Sequence, residues 1–256
     1  MHQLISYIKF LFKSSNQHGV HSPFVYDLVT KCFYDRRKYE AYNIIKENRQ
    51  HLLRDNRIIT ITDFGSGSKV FKSNERRIKA IAKNSGTSLK NAKLLFRIVQ
   101  YLKPETILEL GTNLGIGTIS LALGNPRSQI TTIEGCPQIL NVAETNFHKY
   151  SLPNIQTQQG AFTNKIADLH QKQWDLIFFD GHHSKEATLN YFKQLLPTAT
   201  NDSVFIFDDI YWSKGMTEAW EFIKSHPKVT VTVDTFNWGI VFFRQEQRKQ
   251  HFKIRV

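Results

Sequence analysis

Only two cysteines, Cys32 and Cys136, occur in 256 residues. They are too few and too far apart for a disulfide framework or a zinc site, so a reducing, cytoplasmic setting is expected. Long apolar runs are also missing. The opening MHQLISYIKFLFKSS places Leu4, Ile5, Ile8, Leu11 and Phe12 at helical spacing, with Lys9 and Lys13 between them. It stops far short of the ~20 apolar residues of a transmembrane segment, and no small-residue cleavage site follows it. The spacing predicts an amphipathic helix packed on the body of the protein, with a membrane-surface anchor as the alternative. Internal repeats and low-complexity segments are absent.

Acidic residues are scarce in the first part of the chain. Residues 1–103 hold 20 Lys and Arg against 7 Asp and Glu, while residues 104–256 hold 14 against 15, so the net charge of +12 arises wholly in the first part. This asymmetry points toward an acidic partner, RNA foremost. The aromatics there, Phe33, Tyr34, Tyr39 and Tyr42, are not interleaved with Lys and Arg in an RNA-reading pattern. A basic soluble face is the simpler explanation.

The length suits one large domain, or an ordinary domain with an appendage. From about residue 104 onward, short β-rich runs at 106–110, 129–134, 155–160, 174–180 and 203–209 alternate with helical segments near 116–124, 137–149, 185–196 and 214–225. This alternation predicts βαβ units, hence an α/β fold with a parallel sheet. KVTVTVDTFNWGIVFFR then reads as an antiparallel hairpin. A helix over about 88–102, ended by Pro104, precedes the first strand. Residues 1–87 read as a mainly helical basic extension or cap, and 88–256 as the main domain.

Two glycine stretches compete as a ligand loop: IITITDFGSGSK at 58–69 and ETILELGTNLGIGTISLAL at 105–123. A ligand loop at the end of a first strand needs a helix directly after it, and an acid at the end of the next strand to hold a ribose diol. After DFGSGS a helix begins only near Asn74, and no strand is readable between 70 and 105. The stretch is expected to be a turn of the cap around Gly65 and Gly67, or a loop over the cleft. The second stretch meets both conditions, with Glu134 ending the next strand. Its glycines, Gly111, Gly115 and Gly117, do not follow the GxGxxG spacing, so a pyrophosphate is not the expected ligand.

Glu109 within ELGTNLGIG, the acid of TIEG, the turn GAF at 160–162, the Asp of FFDGHH and the terminal hairpin together resemble class I S-adenosylmethionine-dependent methyltransferases. The likeness is greatest to the catechol O-methyltransferase-like and macrocin-type O-methyltransferases, over roughly residues 88–243. It implies a Rossmann-like methyltransferase sandwich: a mostly parallel seven-stranded sheet with a C-terminal antiparallel hairpin. It also implies that Gly111, Thr112, Asn113, Gly115 and Gly117 hold the methionine portion of the cofactor, with Glu109 near its amine. Glu134, beside Gly135, then accepts hydrogen bonds from the ribose, and Gly160, Ala161 and Phe162 lie beside the adenine. Asp180 and His182 are further cofactor candidates, His182 against the adenine ring.

In the resembling enzymes a divalent metal is held by an Asp after strand four and an acidic or amide pair after strand five. Asp180, Asp208 and Asp209 stand at those positions. Three carboxylates brought together repel one another unless protons or a cation intervene, and Mg²⁺ is the usual oxygen-ligated ion. The alternative is that Asp208 and Asp209 cap the following segment. His183 falls where the catechol-type enzymes carry a Lys base, and also matches the His of a DGxHSYE-like motif. Asp180 and His183 are therefore the catalytic candidates. Tyr211 and Trp212 are expected either to wall an acceptor pocket or to be core.

The function implied is methyl transfer to a small hydroxylated molecule. One rival is an RNA or protein methyltransferase docking through the basic region. Against base-amine chemistry, no NPPY-like tetrapeptide follows strand four, where DGHH stands instead. A second rival is a non-catalytic binding protein on the same scaffold, which would not need the intact glycine loop. Homodimer formation stays open.

Overall fold

The computed structural model describes residues 1–62 and 73–256. The DFGSGS loop, with Gly65 and Gly67, lies outside the described residues. In chain order the helices are α1 His2–Lys13, α2 Pro23–Asp27, α3 Ala41–Arg54, α4 Ile78–Asn84, α5 Leu89–Leu102, α6 Ile116–Gly124, α7 Pro137–Lys149, α8 Phe162–Leu169, α9 Lys185–Leu195 and α10 Lys214–Ser225. The strands are β1 Ile58–Thr60, β2 Glu75–Arg77, β3 Thr106–Leu110, β4 Gln129–Glu134, β5 Ile155–Gln159, β6 Leu176–Phe179, β7 Val204–Asp208, β8 Val231–Asp234, β9 Trp238–Phe242 and β10 Gln250–Lys253. The chain forms two compact units, Asp35–Lys165 and Met1–Tyr34 with Ile166–Val256.

In the Asp35–Lys165 unit, β3, β4 and β5 pair in parallel, with Glu109 opposite Thr132. Helix α5 starts where Ser88 Oγ accepts the Asn91 amide, and it stops at Lys103, whose left-handed backbone precedes Pro104. It buries Leu94, Leu95, Phe96, Ile98 and Val99. Each fully buried aliphatic or aromatic side chain contributes roughly 1.5–3 kcal/mol, so this face anchors the helix. The core around it draws Ile116 and Ile119 from α6, Ala143 and Phe147 from α7, and Ile45 and Leu52 from α3. The short antiparallel pair β1/β2 was not legible as two strands. Where the sequence pattern suggested a helix from about Asn74, β2 comes first and α4 follows at Ile78.

In the other unit the strand order is β6, β7, β9, β8, β10. β6 and β7 are parallel, and β9 runs antiparallel to both β7 and β8. Strands β6, β7 and β9 read LIFF, VFIFD and WGIVF, almost uninterrupted apolar runs. Such runs belong to strands covered on both faces. The indole of Trp220 lies so close to Gly239 that a Cβ there would come within 2.6 Å of it. The seven strands read from the sequence are all present, mostly parallel and ending in the β8/β9 hairpin, and helices precede them. An eighth, β10, pairs parallel with β8. It reads QHFK, half exposed and without alternation, so nothing in its composition marks it as a strand.

Helix α1 forms as its spacing predicts but is turned the other way. It meets its unit through Phe10 and the half-buried His2 and Ser6, and His2 Nε2 shares a hydrogen bond of 3.0 Å with Thr217 Oγ1. Phe10 and Tyr7 pack on Phe236, while Leu4, Ile5, Ile8, Leu11 and Phe12 face out. Among the described residues no helix is long and apolar enough to cross a membrane.

Candidate functional site

The residues singled out on β3 and β4 gather in the Asp35–Lys165 unit. After β3 the chain turns through Gly111, Asn113 and Gly115, all at positive φ (110°, 49° and 81°), and enters α6. A Cβ on Gly115 would sit 2.6 Å from the Phe147 ring. The turn therefore depends on glycine for both its backbone and its packing. Asn113 tolerates the left-handed conformation because its side chain works locally: Oδ1 accepts the Leu114 amide at 2.8 Å and Nδ2 donates to the Ser85 carbonyl at 2.8 Å. Thr112 closes the turn by accepting the Gly115 amide. Gly117 lies in the first turn of α6, where amides lack partners within the helix.

Glu109 is fully buried beneath this turn. Its Oε2 accepts from Thr118 Oγ1 at 2.5 Å and Thr132 Oγ1 at 2.6 Å, and Thr132 in turn meets Thr112 Oγ1 at 2.6 Å. Its Oε1 is buried with no hydrogen-bond partner among the described residues. Burial raises the carboxyl pKa to about 7, against the two threonine hydrogen bonds that lower it. A carboxylate held in this way awaits a donor or a cation. Glu134 ends β4, where its Oε2 accepts the Asn113 amide at 2.9 Å and its Oε1 the Cys136 amide at 3.0 Å. Gly135 lies between Glu134 and Cys136, and both glycine loops hang on the same β4 end. Gly160, at φ 146°, donates its amide to the Glu134 carbonyl at 3.0 Å, and Ala161 and Phe162 lead into α8.

The second group lies in the other unit, at the ends of β6 and β7. One donor atom each from Asp180, His183 and Asp208 falls within 4.8 Å of the others. Asp208 stands opposite Trp238 in register, and its Oδ1 accepts the indole Nε1–H at 2.7 Å. His183 is half-buried; burial pushes its imidazole pKa down, and the Asp208 charge acts in the opposite direction. Asp209, read from sequence as the third carboxylate of this group, is not in the trio. Its backbone turns to φ 52°. Burial, then the Asp208 charge, push its pKa up to about 7. His183, read from sequence as the candidate base, supplies the third donor atom of the trio. His182, at φ 55°, shares a hydrogen bond of 3.0 Å from Nδ1 with Tyr191 Oη. Tyr211 is core: 6% exposed, it donates to Asp234 at 2.5 Å and stacks on Phe236. The threonine partners of Glu109 were missed from sequence, although Thr at the third residue of a helix after an acid-glycine turn is a usable signal.

A family model described as a methyltransferase domain matches residues 108–210. Catechol O-methyltransferase of Mycobacterium tuberculosis is 25% identical over 131 residues, and the match covers 50% of this chain and 59% of that relative. Among solved structures, the SAH-bound methyltransferase PaMTH1 of Podospora anserina matches with a TM-score of 0.60 at 13% identity, over 88% of this chain and 97% of its own. TomG of Streptomyces achromogenes, an O-methyltransferase involved in tomaymycin synthesis and solved with SAM, matches with a TM-score of 0.58 at 15% identity, over 81% of this chain and 91% of its own. An O-methyltransferase of Bacillus cereus in complex with SAH reaches 0.53 at 18% identity, over 82% and 92%. The chain therefore shares the Rossmann-like fold of these solved methyltransferases, and its residues 108–210 match a methyltransferase domain model.

Proposed function

We propose that this protein is an S-adenosylmethionine-dependent O-methyltransferase acting on a small hydroxylated molecule, assisted by a divalent cation. The observation that carries the reading is Glu109, a buried carboxylate with one oxygen unpartnered beneath a turn shaped by Gly115. A cationic amino acid moiety fits that oxygen, whereas a second anion such as a pyrophosphate would be repelled. Glu134, a carboxylate at the end of β4, suits the hydroxyl donors of a ribose diol. Gly160, Ala161 and Phe162 border the same strand end and suit the adenine. When bound, S-adenosylmethionine supplies a methyl group on a sulfonium for in-line displacement.

The chain's own task is alignment and proton removal. Asp180 and Asp208 offer the oxygen donors that Mg²⁺ takes, and such an ion would lower the pKa of an acceptor hydroxyl. Burial pushes the His183 pKa down, toward the neutral imidazole whose nitrogen lone pair can accept the hydroxyl proton. Burial and the Asp208 charge raise the Asp209 pKa to about 7, which favours its protonated form and limits the negative charge beside Asp208. A cytoplasmic setting agrees with two buried cysteines and with the absence of a membrane-spanning helix among the described residues.

The test is transfer of labelled methyl from S-adenosylmethionine to a panel of catechols, phenols and sugars, with and without EDTA. Product that needs both a hydroxyl and a divalent ion supports the reading. Failure to bind S-adenosylmethionine even at millimolar concentration refutes it.

A further inference from the structure

Helix α1 is mounted inside out. Its seam toward its own unit is His2, Ser6 and Phe10, spaced i, i+4, i+8. Tyr7, 43% exposed, packs its ring edge-on against Phe236 at 4.8 Å, and the remaining apolar residues face solvent: Leu4 is 63% exposed, Ile5 45%, Ile8 46%, Leu11 42% and Phe12 87%. Residues 4, 8, 11 and 12 share one face of a helix with 3.6 residues per turn, and 5 and 7 border it. A contiguous exposed stripe of this kind marks a surface that something covers. In α5 the equivalent apolar face is buried.

The charges around the stripe identify what covers it. No Asp or Glu occurs in residues 1–26. On the helical wheel Lys9 lies beside Ile5, on one margin of the stripe, while Lys13 falls on the His2–Ser6 side, exposed at the end of the helix. Just past the helix, Ser15 donates its amide to the Lys253 carbonyl at 2.9 Å and accepts the Arg255 amide at 3.2 Å. This brings in the segment 247–256, which carries Arg248, Lys249, Lys253 and Arg255 and again no acid. Arg255 is exposed. A second copy related by a two-fold axis would lay this patch on itself, with cations meeting cations and no carboxylate in either segment to receive them. An anionic lipid surface meets both requirements: acyl chains take up the apolar stripe, and phosphates meet Lys9 at its margin and the exposed Lys13 and Arg255 beyond it.

We propose that α1 is an interfacial helix that docks this protein on an anionic membrane surface, lying in the headgroup plane without crossing it. The apolar face supplies insertion, and Lys9, Lys13 and Arg255 supply selectivity for negative lipid. This inference does not depend on which methyl acceptor is used.

The test is cosedimentation of the full chain with vesicles of phosphatidylcholine, alone or mixed with phosphatidylglycerol. Wild type binds only the mixed vesicles, and added salt weakens the binding. Ile8→Asp with Phe12→Asp abolishes it at an unchanged melting temperature, because both positions are exposed. Lys9→Gln with Lys13→Gln weakens it by about thirty-fold. Phe12→Trp shows a blue shift in emission on mixed vesicles only. Absence of wild-type binding to mixed vesicles overturns the proposal. So does a wild-type dimer, seen by sedimentation velocity, that Ile8→Asp dissociates while vesicles remain unbound, since the stripe would then belong to a second copy.

Discussion

At the end of β3, Glu109 shares one oxygen between two threonine hydroxyls and leaves the other without a partner, whereas at the end of β7, Asp208 and Asp209 stand side by side with a tryptophan N–H on the first. Both carboxyl groups pushed upward, Glu109 and Asp209, reach about 7, and burial is the leading cause in each. The second cause separates them. For Asp209 it is the adjacent carboxylate, while for Glu109 hydrogen bonds oppose the rise. The β3 site thus presents a buried carboxyl with one oxygen unpartnered among the described residues, suited to one positive group. The β7 site concentrates acid and imidazole, which suits a cation and a mobile proton.

Substitutions separate the two sites. His183→Ala should give the largest effect, a loss of about 10²–10⁴ in kcat from removal of a general base, with S-adenosylhomocysteine affinity unchanged in calorimetry. An equal loss of cofactor affinity would erase the distinction between the sites. Next, Glu109→Gln should weaken S-adenosylmethionine binding roughly 10- to 100-fold, the value of a charge-assisted hydrogen bond, and leave the response to EDTA as in wild type. Gly115→Ala should cost roughly 1–3 kcal/mol in urea unfolding, because it strains the backbone and presses on Phe147; a neutral result would mean that the turn is not glycine-dependent.

The smallest effect is a pH slope. Glu109 binds its proton more tightly in the folded state than in the unfolded chain, so its contribution to stability is full below the unfolded pKa of 4.5 and is lost as pH rises toward about 7. Urea midpoints of the cofactor-free protein should fall over that window, and Glu109→Gln should flatten the fall.

The β3 turn and its neighbours could be read from sequence because strand ends, glycines and acids follow one another locally, and each local choice restricts the next. Contacts that depend on register or on facing could not. Thr132 reaches Glu109 because β3 and β4 pair at those two residues, which no spacing within either strand reveals. His183 joins Asp180 and Asp208 within 4.8 Å, a grouping that residue order along the chain does not reveal. Strand β10 is held by pairing with β8 and by the bridge between Ser15 and Ile254, not by its own composition. For α1 the periodicity correctly gave an apolar stripe, but periodicity carries no information about which side of a helix meets the protein.

The most direct measurement is calorimetric titration of S-adenosylmethionine into wild type and Glu109→Gln, one pH unit below and one above about 7, the pKa of the buried carboxyl. The account predicts wild-type binding that tightens at the higher pH with release of a proton, and weak, pH-independent binding by the variant. Equal affinity of the two proteins at both pH values would contradict it.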